Sequence, residues 1–259
     1  MKKYISYILV VALIFAATFT SCKKDTDGDK IKLLETITSS DNKWSYKFEY
    51  DEQNRISKII RYSEGSLHNT IPITYSENDL VEMGFVVEGN GSWGYWTFNY
   101  AISGNTINFT RTNWNHYSGV SSIIGAFTGV LTLNGDGLPV KKEEDYGGGF
   151  EYTYQYDGNG NMVKAFFPDD YTEEYKYDNN KSPFLNCKSP KWWLQDFVFW
   201  GFGFGIPNNT IVRAWDEGKT TYAYVYDSDG YLTKRTSKTE YDYDDEVIEQ
   251  EITYTYIEK

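Results

Sequence analysis

The chain has 259 residues and a surplus of acid, with 37 Asp and Glu against 25 Lys and Arg, so its formal net charge is −12. That balance makes nucleic acid and anionic lipid surfaces poor candidates for partners. Two cysteines, Cys22 and Cys187, are too few for a disulfide framework, so the core alone must hold the fold.

The first 21 residues have the layout of an export signal. A basic start at Lys2 and Lys3 is followed by an apolar run over residues 4–19, and Thr20-Ser21-Cys22 comes next. These features predict a signal peptide over residues 1–21. Small residues directly before a cysteine resemble the lipobox of bacterial lipoproteins, which implies cleavage before Cys22, a lipid on its thiol and anchoring to the outer membrane in the cell envelope. A plain transmembrane anchor and an ordinary signal with an incidental Cys22 are the alternatives.

Residues 22–31 form a polar stretch without periodicity, which predicts a flexible tether. Its Lys23-Lys24-Asp25 order resembles the export tag of surface-displayed Bacteroidota lipoproteins. Any tether needs polar residues, however, so the surface and periplasmic orientations both stay open. Loss of the leader with its two lysines takes the net charge from −12 to −14. No Pro- or Ser-rich linker follows, so residues 32–259 are predicted to form a single β domain.

One sequence motif recurs along that domain: alternating aromatic residues, an Asp, a short polar turn and then an apolar residue. Clear copies occupy residues 46–56, 152–162 and 222–232. Alternate residues of a strand face opposite sides, so Tyr and Phe line one face and polar residues the other. The Asp accepts hydrogen bonds from the turn backbone, and a Gly or Asn three residues later takes the left-handed conformation. Each copy therefore predicts a β-hairpin.

Repeated hairpins predict an all-β antiparallel meander of about 12 to 16 strands, which curls into an open or closed barrel-like sheet. The recurring motif resembles the YD repeats of Rhs-type shell proteins. Together with the lipobox, it is also similar to a family of Bacteroidota lipoproteins of unknown function with a porin-like β fold. That resemblance implies the fold and an envelope location, and it transfers no functional residues. A membrane-embedded porin is disfavoured, because the second face carries Lys47, Glu49, Glu174 and Lys176.

An aromatic segment at about residues 184–206 breaks the pattern. It contains Trp192, Trp193 and Trp200, and its apolar part, about residues 192–206, is too short to span a bilayer as a helix. We interpret it as a plug or short helix that fills one end of the sheet. The alternative is that its rings stay exposed and stack on sugar rings or on a partner protein.

A second aromatic cluster contains Trp93, Trp96 and Trp114, on irregular repeats near glycines. Loops at strand ends commonly carry binding residues, so these three join the candidate ligand contacts. Ordinary packing across the sheet is the competing explanation.

We find no nucleophile triad, phosphate loop, metal-ligand cluster or cofactor signature. The acidic turn at residues 157–161 mimics the start of a calcium loop, but Met162 stands where glycine is required, so turn chemistry explains it better. The sequence thus favours a non-catalytic module that binds a glycan or an envelope protein. A hydrolase with paired carboxylates and a purely structural lipoprotein are the alternatives, and Cys187 is predicted to be a small buried residue.

Overall fold

A computed structural model describes residues 31–84, 86–87, 93–117, 120–198 and 206–259. The predicted signal peptide, Cys22 and most of the predicted tether lie outside this range, as does Trp200. The strands all belong to one compact unit, Lys32–Glu258.

Seventeen β-strands follow one another along the described chain. They are β1 (Lys32–Ser39), β2 (Trp44–Tyr50), β3 (Ile56–Ser63), β4 (Ser66–Ser76), β5 (Asp79–Gly84), β6 (Val86–Val87), β7 (Trp93–Ser103), β8 (Thr106–Tyr117), β9 (Val120–Leu133), β10 (Pro139–Glu144), β11 (Phe150–Tyr156), β12 (Met162–Phe166), β13 (Thr172–Tyr177), β14 (Thr210–Trp215), β15 (Gly218–Tyr226), β16 (Leu232–Tyr241) and β17 (Asp244–Glu258).

These strands form a closed antiparallel barrel. With the short β6 set aside, each strand pairs with its neighbours along the chain. Strand β1 also pairs with β17, from Lys32↔Glu258 to Ser39↔Ile252, which joins the two edges of the sheet. Strands β5 and β6 both pair with β4, so they share one position and the barrel has sixteen. The predicted meander is confirmed, and of the two predicted outcomes the closed one is found.

The tyrosines of the repeat face the barrel interior. Tyr154 and Tyr175 are buried, whereas Gln155 and Glu174, each adjacent to one of them on the same strand, are exposed. Period-two alternation thus separates an aromatic interior from a polar exterior, as predicted. At the ends of the strands, tyrosine hydroxyls donate to carbonyl oxygens near the start of the preceding strand, in six pairs: Tyr50 to Leu34, Tyr75 to Ile56, Tyr156 to Pro139, Tyr177 to Met162, Tyr224 to Thr210 and Tyr256 to Leu232.

The turns after these tyrosines have the predicted chemistry. In the turn after β11, Asp157 Oδ1 accepts the backbone N–H groups of Asn159 and Asn161 at 2.8 and 2.9 Å. Gly160, with φ 89°, takes the left-handed conformation there. Asp157 thus serves as a turn acceptor, which supports the hairpin explanation over the calcium one. The turns at residues 51–55 and 227–231 repeat this pattern of hydrogen bonds.

Pairs of opposite charge lie across the outer face of the barrel. Lys164 contacts Glu174 on the next strand at 2.9 Å, and Lys58 contacts Glu49 at the same distance. Exposed pairs of this kind add only about 0–1 kcal/mol each to stability. Their main consequence is that the outer face of the barrel carries charge.

The segment between β13 and β14 enters the barrel as the predicted plug. It contains a short helix, α1 (Lys191–Trp193), followed by a π-helical turn (Leu194–Val198). The Phe184 ring packs edge-on against Phe48 at 5.4 Å, and Trp192 packs against Tyr100 at 5.1 Å. Among the described residues, no helix is both long enough and apolar enough to cross a membrane.

Polar contacts fix the plug to the strands. The Ser189 hydroxyl accepts the backbone N–H of Ile56 at 2.9 Å, and the Lys188 N–H donates to the Asn54 carbonyl oxygen at the same distance. Cys187 is buried beside them, and burial raises the pKa of its thiol. The prediction that Cys187 is a small buried residue is confirmed.

Candidate functional site

The two ends of the barrel differ in chemistry. Because strand direction alternates around the sheet, the turns after β2, β9, β11 and β15 lie at one end, which we name the Tyr-Asp end. The plug leaves β13 and returns to β14 at this same end. The interior side chains toward the opposite end include large polar and charged groups, so the candidate site lies there.

Arginine distinguishes the interior from the exterior. The chain has five arginines, and each lies over an aromatic ring. One of them, Arg55, belongs to a turn at the Tyr-Asp end. The other four are on strands and face inward: Arg61 of β3 over Tyr46 (5.9 Å to the ring centre), Arg111 of β8 over Trp96 (4.9 Å), Arg213 of β14 over Trp215 (5.7 Å) and Arg235 of β16 over Tyr222 (5.2 Å).

Strand alternation explains why these four arginines point inward. Arg61 is two residues beyond the buried Ile59, and Arg111 is two beyond the buried Phe109. Arg235 is itself only 6 % exposed. A guanidinium is planar and weakly hydrated compared with an ammonium, so it stacks on aromatic rings in a partly dry interior more readily than lysine does.

Two of the arginines line a cavity of about 230 Å³. Arg61 and Arg235 form its charged walls, and the half-buried rings of Trp44 and Tyr46, 5.6 Å apart, form its aromatic wall. Gln250 adds an amide. The cavity thus combines ring faces, guanidinium groups and a neutral polar group in a small volume.

Several buried polar atoms around the interior have no hydrogen-bond partner among the described residues. They include Arg61 Nε and the Oδ1 atom of Asn69, which faces Arg61 across the β3–β4 pair. Arg111 Nε and the Oδ1 atom of Asn113 form a similar pair along β8. Leaving a buried polar group unpaired costs about 1–3 kcal/mol. Such groups near a cavity are suited to a polar ligand.

Arg213, in contrast, is fully engaged by the protein. Its Nε donates to Glu173 Oε2 at 3.0 Å and its Nη2 to Oε1 at 2.5 Å, a side-on bidentate pair. The hydroxyls of Tyr171 and Tyr175 also donate to this carboxylate. Burial lowers the Arg213 pKa, but Glu173 outweighs it and holds the pKa above its ordinary value; burial and Glu173 raise the pKa of Tyr171 to about 12.

Replacing Arg213 is expected to destabilise the barrel, because Glu173 is only 1 % exposed and would become an unpaired buried charge. We expect Arg213→Met to lower the free energy of unfolding by about 3 kcal/mol, at the low end for a broken buried pair because Arg213 itself is partly exposed. Urea unfolding at neutral pH measures the loss. Adding Glu173→Gln should restore much of it, and a double variant no more stable than Arg213→Met would contradict the explanation.

A second interior ion pair ties the plug to the barrel wall. The Lys142 ammonium on β10 lies 3.1 Å from Asp196 Oδ1 of the plug and 3.0 Å from Glu144 Oε1. Burial would lower the pKa of Lys142, but the two carboxylates outweigh burial and raise it. Because one ammonium holds both carboxylates, the three groups act as a structural tie.

Of the six tryptophans predicted as ligand contacts, the four whose side chains the structure describes do not form one site. Trp192 and Trp193 are buried in the plug, and Trp96 faces the interior beneath Arg111. Trp114 faces the other side of the sheet, where its Nε1 donates to Thr97 Oγ1 at 3.2 Å. The Trp93 side chain lies outside the described residues, as does all of Trp200.

Sequence reasoning missed Trp44 and the inward arginines. Trp44, Tyr46, Phe48 and Tyr50 alternate along β2, so Trp44 shares the face of the repeat tyrosines. Extending the same alternation along β3 places Arg61 on that face. The signal was therefore present in the spacing, but a charged residue at an inward position is easily assigned to the surface.

A family model described as the teneurin YD-shell matches residues 16–183. Two solved structures are similar, a porin-like protein from Bacteroides uniformis (11 % identity, TM-score 0.41, 86 % of this chain and 96 % of that one) and a porin-like protein from Bacteroides vulgatus (10 % identity, TM-score 0.41, 87 % and 99 %). No curated protein matches the sequence.

Proposed function

The chain belongs to the teneurin YD-shell family, and we propose that it is a lipid-anchored envelope protein whose barrel binds a glycan in its interior, at the end opposite the plug. The observation that carries the proposal is the cavity of about 230 Å³ between Trp44, Tyr46, Arg61 and Arg235. It joins two aromatic rings to two guanidinium groups in one place.

This combination fits sugars for physical reasons. The C–H faces of a sugar ring pack against aromatic rings, while hydroxyl groups need the donors and acceptors that arginine and amide side chains supply. Pockets for drug-sized ligands measure roughly 300–1,000 Å³, so a smaller cavity suits a single sugar unit of a longer chain. The half-buried rings of Trp44 and Tyr46 leave ring surface for that unit.

The charged outer face supports a barrel that works in water on a lipid tether. Lys or Arg on a lipid-facing strand costs about 2–4 kcal/mol at the bilayer midplane. Ion pairs such as Lys58–Glu49 and Lys164–Glu174 would place several such charges in hydrocarbon. A lipid on Cys22, with the polar residues that follow it, would instead hold the barrel beside the membrane.

The proposal is non-catalytic. Glycoside hydrolysis uses one carboxylic acid and one carboxylate on either side of the scissile bond. Among the described residues, Glu144 and Asp196 approach each other inside the barrel, but Lys142 lies between them and binds both. Glu173 is held by Arg213. These interior carboxylates are committed to ion pairs.

Intrinsic tryptophan fluorescence of the full chain, titrated with a panel of polysaccharides, tests the proposal. At least one polysaccharide is expected to change the emission in a saturable way. Trp44→Ala should weaken that binding about tenfold, equivalent to 1.4 kcal/mol. Trp114→Ala, on the outer face of the sheet, is the matched control and should leave it unchanged.

Thermal melts of both variants establish that they fold. Equal glycan affinities of Trp44→Ala and Trp114→Ala would show that the interior cavity is not the binding site. No saturable response to any polysaccharide would overturn glycan binding altogether.

A further inference from the structure

We propose that the ligand of the barrel interior is an acidic glycan, whose carboxylate or sulfate groups are bound side-on by Arg61, in the cavity described above, and by Arg111, which lies outside the lining of that cavity. The inference rests on the proposed function and names its ligand class. The observation behind it is that one inward arginine already binds a carboxylate of the protein, whereas Arg61 and Arg111 do not.

Arg213 shows how this barrel binds an anion. Its Nε and one terminal nitrogen donate in parallel to the two oxygens of Glu173. This bidentate geometry is the strong and specific way in which arginine recognises a planar carboxylate, and sulfate and phosphate present a matching pair of oxygens. The Nε atom is essential to that edge, because it is one of the two donors.

Arg61 and Arg111 have the same Nε-bearing guanidinium edge, but no described carboxylate is bound to it. Among the described residues, neither forms an ion pair, and the Nε atom of each is buried without a hydrogen-bond partner. Aromatic rings hold both guanidinium groups in position. Arg61 lies over the Tyr46 ring. Arg111 lies 4.9 Å from the centre of the Trp96 ring and 5.1 Å from the centre of the Phe127 ring. Each is therefore a pre-oriented donor edge.

The interior carboxylates that the structure describes do not neutralise these two groups. Glu173 is paired with Arg213, and Glu144 and Asp196 are paired with Lys142. Arg61 and Arg111 thus leave positive charge inside a protein whose net charge is −12. The Debye length is about 8 Å at physiological ionic strength, so outer carboxylates are largely screened while partly buried interior charges are screened much less.

Aromatic rings beside the two donor edges indicate that the anion is carried by a sugar. Trp44 and Tyr46 share the cavity with Arg61, and the Trp96 ring lies directly under Arg111. A free inorganic anion has no use for these ring faces. An acidic sugar unit would use both parts, its ring against the aromatic wall and its anionic group against the guanidinium.

Calorimetric titration of the full chain with matched polymers tests the inference. The probes are polygalacturonate against its methyl ester, and dextran sulfate against dextran, so that charge changes while the sugar stays the same. At least one acidic polymer is expected to bind about tenfold or more tightly than its neutral partner, with an affinity that falls as salt rises. The carboxylate and sulfate arms show which anionic group is accepted.

Variants assign the effect to the proposed edge. Arg61→Gln and Arg111→Gln should each weaken acidic-polymer binding about tenfold, and should weaken it more than they weaken neutral-polymer binding. Arg61→Lys keeps the charge but lacks the Nε edge, so it should restore binding only in part. Lys176→Gln, which removes an exposed cation from the outer face of β13, is the control and should have no effect.

The outcomes separate the two proposals. Equal binding of acidic and neutral polymers, with Arg61→Gln behaving like Lys176→Gln, would overturn the acidic preference and leave glycan binding intact. Failure of every polymer to bind would overturn both. Preference for an acidic polymer that survives both arginine variants would place its binding outside this site and overturn the assignment.

Discussion

Raising the pH above about 10, the ordinary pKa of tyrosine, is expected to unfold the barrel cooperatively. Burial raises the pKa of many of the interior tyrosines. Thirteen described tyrosines share this shift: Tyr50, Tyr75, Tyr100, Tyr152, Tyr154, Tyr156, Tyr171, Tyr175, Tyr177, Tyr224, Tyr226, Tyr254 and Tyr256.

The sign of the effect follows from proton linkage. A raised pKa in the folded state means that the folded chain keeps its tyrosine protons when the unfolded chain has lost them. The stabilisation is fully present below the unfolded pKa of about 10 and is lost as the pH rises toward the folded pKa values. Each such tyrosine subtracts about 1.4 kcal/mol per pH unit in that window. A few of them acting together exhaust a typical stability of about 5–15 kcal/mol within one or two pH units.

Tyrosinate absorbance and circular dichroism, recorded together against pH, measure this transition. The two signals should change together in one steep step above pH 10. Tyrosinate absorbance that rises gradually while the β signal persists would show that water reaches the interior rings, and would contradict the packed aromatic interior.

The repeat made most of this fold predictable. A tyrosine at every second position predicts which face of the strand is buried, and Asp157 with Gly160 predicts where the chain reverses direction. These are local rules, in which the residue types at neighbouring positions decide the geometry. Turn chemistry, strand alternation and the number of hairpins therefore follow from short stretches of sequence.

Closure and the site were less accessible, because they depend on residues far apart in the chain. The pairing of β1 with β17 joins Lys32 to Glu258, and no local pattern states that the two edges meet. Likewise Arg61 and Arg235 reach one cavity from strands more than 170 residues apart. Composition also left the plug ambiguous, since Trp192 and Trp193 have the same hydrophobicity whether they are buried or exposed.

Trp193→Ala is expected to be among the most destabilising single substitutions in the plug. The Trp193 side chain is fully buried and its ring stacks on Phe197 at 5.3 Å. Removing a buried Trp leaves a cavity and loses its apolar contacts, at a typical cost of about 3–5 kcal/mol. Urea unfolding should show a lower midpoint with an unchanged slope. Leu185→Ala, on the same segment but 42 % exposed, is the matched control and should shift the midpoint little.

Stability and glycan affinity, measured on the same variants, distinguish aromatic residues that pack in the plug from those that contact the glycan. Trp193→Ala should lower stability and leave the affinity of the folded protein for a glycan unchanged, because the ring lies in the plug and the cavity of Arg61 does not include it. Trp44→Ala should mainly lower affinity. If Trp193→Ala weakens binding as strongly as Trp44→Ala does, the plug and the binding surface are one structure, and the ligand lies nearer the Tyr-Asp end than the arginines indicate.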